Sequence, residues 1–149
     1  NLFGPINGIT EFYKYFILEK SNFDYKNLNI INISSIYGLI APNQKIYSDT
    51  KRNSSEIYGA TKAGLIQLTK YFATRYAKNN IQVNSIAPGG VLNGELQGPE
   101  FIANYSDLVP QKRLCNDQEV GSLIYSLIES NCTYLTGQTI ALDGGMSAW

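Results

Sequence analysis

Two tyrosine–lysine pairs with the same spacing lie between Ile46 and Gly64: Tyr47 with Lys51, and Tyr58 with Lys62, each four residues apart. On a helix, residues i and i+4 share a face. An ammonium beside a phenol favours the phenolate, so a tyrosine placed this way can give a proton to a carbonyl oxygen or take one from an alcohol. The spacing alone is a weak signal, because the chain holds 11 tyrosines and an exposed helix face would carry the same pattern. Histidine is absent. That removes Ser-His-Asp and Cys-His catalysis and every zinc site that needs imidazole, and no metal is expected. Acid–base chemistry near neutral pH then falls to Tyr, Lys, Asp, Glu or a coordinated water.

A catalytic tyrosine must be held by a packed element. After Lys51 comes RNSSE, polar and cap-like, with no helix to carry a rigid pair. From Glu56 the pattern changes: Ala60, Ala63, Leu65, Leu68, Phe72 and Tyr76 recur at helical spacing to about Lys78. Asn53 with Glu56 three residues later offers a start resembling a capping box. Upstream, residues 9–19 read as a helix with Pro5 near its beginning, where a missing N–H costs least. Leu28 to Ser34 reads as a buried parallel strand, and IQVNSIAP as a second strand ending at Pro88. Residues 39–55 read as a loop insertion, and the glycine-rich stretch from Gly89 into residues 89–110 as a loop or lid. NDQEVGSLIYSLIES reads as an amphipathic helix capped by Asn116 or Asp117, and GQTIALDGG as a third short strand with a glycine turn. Strands alternating with helices imply α/β architecture with parallel pairing. Three strands make a small sheet whose first strand has an unsatisfied edge, so the pattern reads as one half of something larger.

The 149 residues amount to one domain, 44% hydrophobic and 16% charged, with 12 basic and 12 acidic residues and no net charge. Nothing advertises nucleic acid, since phosphate binding needs clustered positive charge. No apolar run reaches the roughly 18–20 residues of a membrane span. No signal peptide is evident at the start, and a cytoplasmic protein is expected. Cys115 and Cys132 have no CxxC context and read as idle thiols of a reducing compartment.

The blocks NIINISSIYG, YGATKAGLIQLTKYFATRYAKNNIQVNSIAPGG and YLTGQTIALDGG, in this order, resemble the later half of the short-chain dehydrogenase/reductase family. The resemblance covers essentially the whole chain. It implies the C-terminal half of a Rossmann-like, doubly wound parallel sheet, with residues 1–149 forming a single partial domain. It also implies an NAD- or NADP-dependent oxidoreductase that interconverts an alcohol and a carbonyl in a small-molecule substrate. In ISSIYG the family's catalytic serine falls on Ser35, which would hydrogen-bond the substrate oxygen, with Ser34 in a structural role. The family's usual count from that serine favours Tyr47, twelve residues on, whereas the sequence that follows favours Tyr58. Tyr58 is therefore assigned as acid/base and Lys62 as its partner, also bonding the nicotinamide ribose. Asn1 matches a family asparagine that holds a water in a proton relay. Pro88, Gly89, Gly90 and Val91 match the loop that passes the nicotinamide. Asn93 stands where the family commonly has threonine bonding the carboxamide, and Gly144 and Gly145 read as a structural turn.

The family's glycine-rich phosphate turn, which follows its first strand at a helix N-terminus, has no counterpart in this sequence. The chain alone is thus expected to lack most of the cofactor site, to be inactive and not to bind dinucleotide tightly. The resemblance further implies a homodimer or homotetramer through helices 9–19 and 56–78. The insertion resembles members linked to bacterial surface-sugar and flagellin-glycan pathways, which suggests a sugar-like substrate. A non-catalytic regulatory or interaction relative, and a sugar epimerase or dehydratase sharing YxxxK, are the competing readings.

Overall fold

The computed structural model describes residues 2–19, 27–47 and 53–148. Its elements are α1 (Phe3–Glu19), β1 (Leu28–Ile33), α2 (Glu56–Tyr76), β2 (Ile81–Pro88), α3 (Pro99–Leu108), α4 (Asp117–Glu129) and β3 (Thr139–Leu142), of which all but α3 are expected from the hydrophobic pattern. The three strands form one parallel sheet in the order β1-β2-β3, with Leu28 opposite Ile81 and Ser85 opposite Thr139. No helix among the described residues is long and apolar enough to cross a membrane.

β2 is buried along its whole length, as a central parallel strand should be. β1, expected to be buried, is mostly half-buried and ends at Ile33, because it lies at the sheet edge and among the described residues one flank has no strand beside it. α1 begins six residues earlier than its apolar spacing suggests. Pro5 sits inside its first turn, where the helix needs no N–H from it.

The described residues form two hydrophobic cores. In one, Ile9 and Phe16 of α1 meet Phe72, Ala73 and Tyr76 of α2 over Ile81 and Val83, with the Tyr13 and Tyr76 rings stacked at 3.9 Å. The other gathers Ile36, Ile46, Tyr105, Val109, Leu114 and Met146. Ile46 comes from the expected loop insertion, so that segment contributes a core residue from a 3-10 turn, Gln44–Tyr47. Gln44 also exchanges two hydrogen bonds with the Ser54 backbone at 3.0 and 3.1 Å, which pins the far end of the segment.

Two helix starts differ in how far they were legible. Asn116 caps α4 as expected, and Glu119 closes a full capping box by accepting from the Asn116 N–H at 2.8 Å. For α2 the cap is Ser55, whose hydroxyl accepts from Ile57 N at 3.2 Å, and not Asn53. The serine sits immediately before the first helical residue, where its oxygen reaches the free N–H groups.

Glu119 also takes both guanidinium nitrogens of Arg113 at 2.7 Å. The Arg113 bonds, then that of the Asn116 N–H, pull its carboxyl down to about 2 from an ordinary 4.5. A depressed carboxyl stabilises the fold above its unfolded value and loses that contribution as pH falls through the folded value. The melting-temperature gap between wild type and Glu119→Gln should therefore shrink between about pH 4.5 and pH 2. A gap that widens on acidification would contradict this pairing.

Candidate active site

The serine strand and the tyrosine helix meet at the carboxyl end of the sheet. β1 ends at Ile33, Ser34 N still bonds Ile86 O of β2 at 2.8 Å, and the chain then turns through a 3-10 turn, Ile36–Gly38. α2 packs directly on that turn, and two glycines permit the contact. A Cβ on Gly38 would lie 2.8 Å from the Lys62 carbonyl carbon, and one on Gly59 would lie 2.9 Å from Tyr37 O. Ser34 locks the crossing by donating its hydroxyl to Lys62 O at 2.9 Å. In return the Lys62 ammonium donates to Ile33 O at 3.0 Å, leaving two N–H donors for a ligand. Lys62 Nζ lies 5.7 Å from the Tyr58 ring centre.

Ser35 is buried, and its hydroxyl accepts from Tyr37 N at 3.2 Å, which orients it as the cap of the turn. Ser35 and Tyr58 line one open cleft of about 450 Å³, together with Gly89 and Gly90 from the end of β2. Tyr37, Tyr47, Asn53, Ser54, Ser55, Phe101 and Tyr105 complete its described wall with Ile36, and none of these residues carries a charge. Tyr105 fixes the glycine loop by accepting from Gly90 N at 2.6 Å. Burial pushes its phenol up to about 12, with the Gly90 bond working the other way. A Cβ on Gly90 would strike the Tyr105 ring at 2.7 Å.

Of the residues singled out from the sequence, Ser35, Tyr58, Gly89 and Gly90 converge on the cleft, and Lys62 stands one turn along from Tyr58. Pro88 is buried at the end of β2. Val91 and Asn93 do not line the cleft. Val91 forms a parallel bridge with Cys115, and exposed Asn93 spends its side-chain oxygen on Glu95 N at 3.2 Å. Asn1 and Lys51 lie outside the described residues. Tyr47 sits in a 3-10 turn, without the α-helix that carries Tyr58.

Tyr37, Phe101 and Tyr105 also line the cleft, and none of them stands out in the sequence as a site residue. The last two lie on α3, which occupies residues 99–108 of the stretch expected as loop or lid. Its signal was present: Pro99 at the first helical position, Glu100 in the first turn, and Phe101, Tyr105 and Leu108 at spacings of four and three. Tyr37 had no local signal, because its place in the cleft follows from the packing of α2. Asn84 explains the VN of the second strand: its amide donates to Leu135 O at 2.8 Å and its oxygen accepts from Gln138 N at 3.0 Å, tying down the loop before β3.

The chain matches, over residues 1–147, a family model described as enoyl-(acyl carrier protein) reductase. It is 35% identical over 127 residues to 7alpha-hydroxysteroid dehydrogenase of Bacteroides fragilis, covering 80% of this chain and 43% of that protein. With the post-translational flagellin modification protein A of Campylobacter coli it shares 32% identity over 145 residues, 97% of this chain and 54% of the relative. Among solved structures, a short chain dehydrogenase from Leptospira borgpetersenii with bound NAD+ superposes with a TM-score of 0.79 at 37% identity, over 95% of this chain and 52% of that one. The chain spans about half the length of the curated relatives it matches. Its parallel α/β sheet, its serine–tyrosine–lysine arrangement and these matches together lead to one conclusion: the chain belongs to the short-chain dehydrogenase/reductase family.

Proposed function

We propose that this chain carries the proton-handling part of an NAD- or NADP-dependent oxidoreductase that interconverts an alcohol and a carbonyl. The observation that carries the reading is the convergence of Ser35 and Tyr58 on one uncharged cleft at the carboxyl end of the sheet, with Lys62 held beside Tyr58 by Ile33 O. The nicotinamide, when bound, supplies or accepts the hydride. Ser35 holds the substrate oxygen, and Tyr58 gives that oxygen its proton during reduction or takes it during oxidation. Lys62 places positive charge where the phenol must part with its proton, and its remaining N–H donors suit a ribose hydroxyl. The residues fit the nicotinamide end of such a cofactor: neutral walls, two glycines at the strand end and an ammonium with donors to spare. The NAD+ in the Leptospira relative supports this choice of cofactor.

In this reading the described residues of 39–55 and residues 89–110 form the substrate side of the cleft, the first contributing Tyr47 and the second Phe101 and Tyr105. The exposed apolar side chains of α1 and α2, among them Phe12, Tyr15, Leu18, Ile57 and Tyr71, would be covered in the homodimer or homotetramer of the full-length protein. The test is NAD(P)H absorbance with the full-length protein over a panel of small ketones and ketoses. Cofactor oxidation that depends on a carbonyl supports the reading. Cofactor binding without turnover on any of them would instead favour a regulatory relative.

A further inference from the structure

The stretch that follows β2 is loose by composition. Three of the six residues 89–94 are glycine, the residue that loses most backbone freedom when it is fixed. Its first part is held by the fold. Gly89 N donates to Leu142 O at 2.9 Å and Gly90 N to Tyr105 Oη at 2.6 Å. The Cys115 backbone donates to Gly90 O at 2.8 Å and accepts from Leu92 N at 2.9 Å. From Leu92 to Leu96 every residue is exposed, and the chain must be held from within.

Gln97 supplies that hold. Its carboxamide oxygen accepts from Asn93 N at 2.8 Å, and its amide nitrogen donates to Val91 O at 2.9 Å. One partner can only donate and the other only accept, so together they fix which way the amide points. The Val91–Leu92 peptide is thereby gripped at both ends, its N–H by the Cys115 backbone and its carbonyl by Gln97. One grip is backbone on backbone, and the other is a single side chain. Gln97 also adjoins Gly98, which caps α3, the helix whose Tyr105 reaches back to Gly90. The glycine loop and the start of α3 thus close on each other, with Gln97 as the clasp.

A loop that samples many shapes binds a ligand only in proportion to the fraction in the competent one. A side chain that holds the competent shape raises affinity without touching the ligand. We propose that Gln97 is a positioning residue for the cofactor: by holding the Val91–Leu92 peptide, it keeps the loop after β2 in the shape that receives the nicotinamide. The proposal rests on the oxidoreductase reading, which gives this loop to the nicotinamide.

The experiment titrates NADH and NADPH, followed by nicotinamide fluorescence, into the full-length wild type, Gln97→Met and Gln97→Glu. Met keeps the length of the side chain and offers neither hydrogen bond, whereas Glu can still accept from Asn93 N but cannot donate to Val91 O. Both variants should bind the preferred cofactor about tenfold more weakly, and in turnover the loss should fall on its KM rather than on kcat. In the cofactor-free protein the Asn93 amide should exchange about tenfold faster in Gln97→Met. The Gly137 amide, bonded to Val83 O at 2.8 Å, should keep its rate, which shows that the fold is intact. Wild-type affinity in Gln97→Met would reduce Gln97 to a packing residue, and wild-type affinity in Gln97→Glu would remove the grip on Val91. Either result overturns the proposal, as does a loss in kcat alone, an unchanged Asn93 rate, or a Gly137 rate that rises with it. The two readings fail separately. Weakened binding in the variants without turnover in wild type keeps Gln97 in its role and sinks the oxidoreductase. Wild-type turnover with unweakened binding in the variants does the opposite, and a wild type that binds neither cofactor sinks both.

Discussion

Tyr58→Phe in the full-length protein should lower turnover by about 10²–10⁴-fold, the range that a positioned proton donor contributes. Tyr47→Phe should cost about tenfold at most, because it removes a wall hydroxyl and not the reacting proton. The substitution keeps the ring and its packing in both cases, so a large loss reads the hydroxyl alone. The contrast follows from how each tyrosine is held. Tyr58 sits in the first turn of a 21-residue helix that is capped by Ser55 and pinned to the serine strand through Ser34 and Lys62. Tyr47 ends a 3-10 turn and packs against Phe101. Steady-state kinetics on the two variants decide the matter, and a collapse in Tyr47→Phe with Tyr58→Phe still active would reverse the assignment.

The second large effect is on stability. Gly38→Val should lower the unfolding free energy by about 3 kcal/mol or more, and Gly38→Ala by about 1–3 kcal/mol, the usual cost of forcing atoms into a packed contact. A Cβ at this position meets the Lys62 carbonyl carbon at 2.8 Å and Ala63 N at 2.9 Å. These are backbone atoms inside a helix, which cannot rotate away as a side-chain end could. Relief requires lifting α2 off the turn, and that also separates Tyr58 and Lys62 from Ser35. Urea denaturation should show the lower midpoint, and the protein that remains folded should have reduced turnover. Wild-type stability in Gly38→Val would mean that the helix–turn contact is looser than these distances show.

What the sequence made legible and what it left hidden divide along a physical line. The helix carrying Tyr58, the strands and the Asn116 cap are local features: periodicity and a polar residue before a helix announce them. That a packed helix carries Tyr58 and none carries Tyr47 was also readable, from the apolar spacing that follows Lys62. The Ser55 cap was missed because three candidate residues, Asn53, Ser54 and Ser55, precede Glu56, and only geometry chooses among them. α3 was hidden behind a glycine-rich run that reads as loop, although Pro99 marked its start. The half-buried β1 and the place of Tyr37 in the cleft wall could not be read at all. Both depend on what lies across the fold, an open sheet edge in one case and the seat of α2 on the serine turn in the other.

The central claim is that a substrate oxygen is held between Ser35 and Tyr58. The most direct test is a crystal structure of the full-length protein with NAD+ and butanone, a ketone with no hydroxyl for the oxidised cofactor to act on. The account predicts the ketone oxygen within about 2.6–3.2 Å of both Tyr58 Oη and Ser35 Oγ. A ketone oxygen resting on Tyr47 Oη, or a ligand seated outside this cleft, would contradict it.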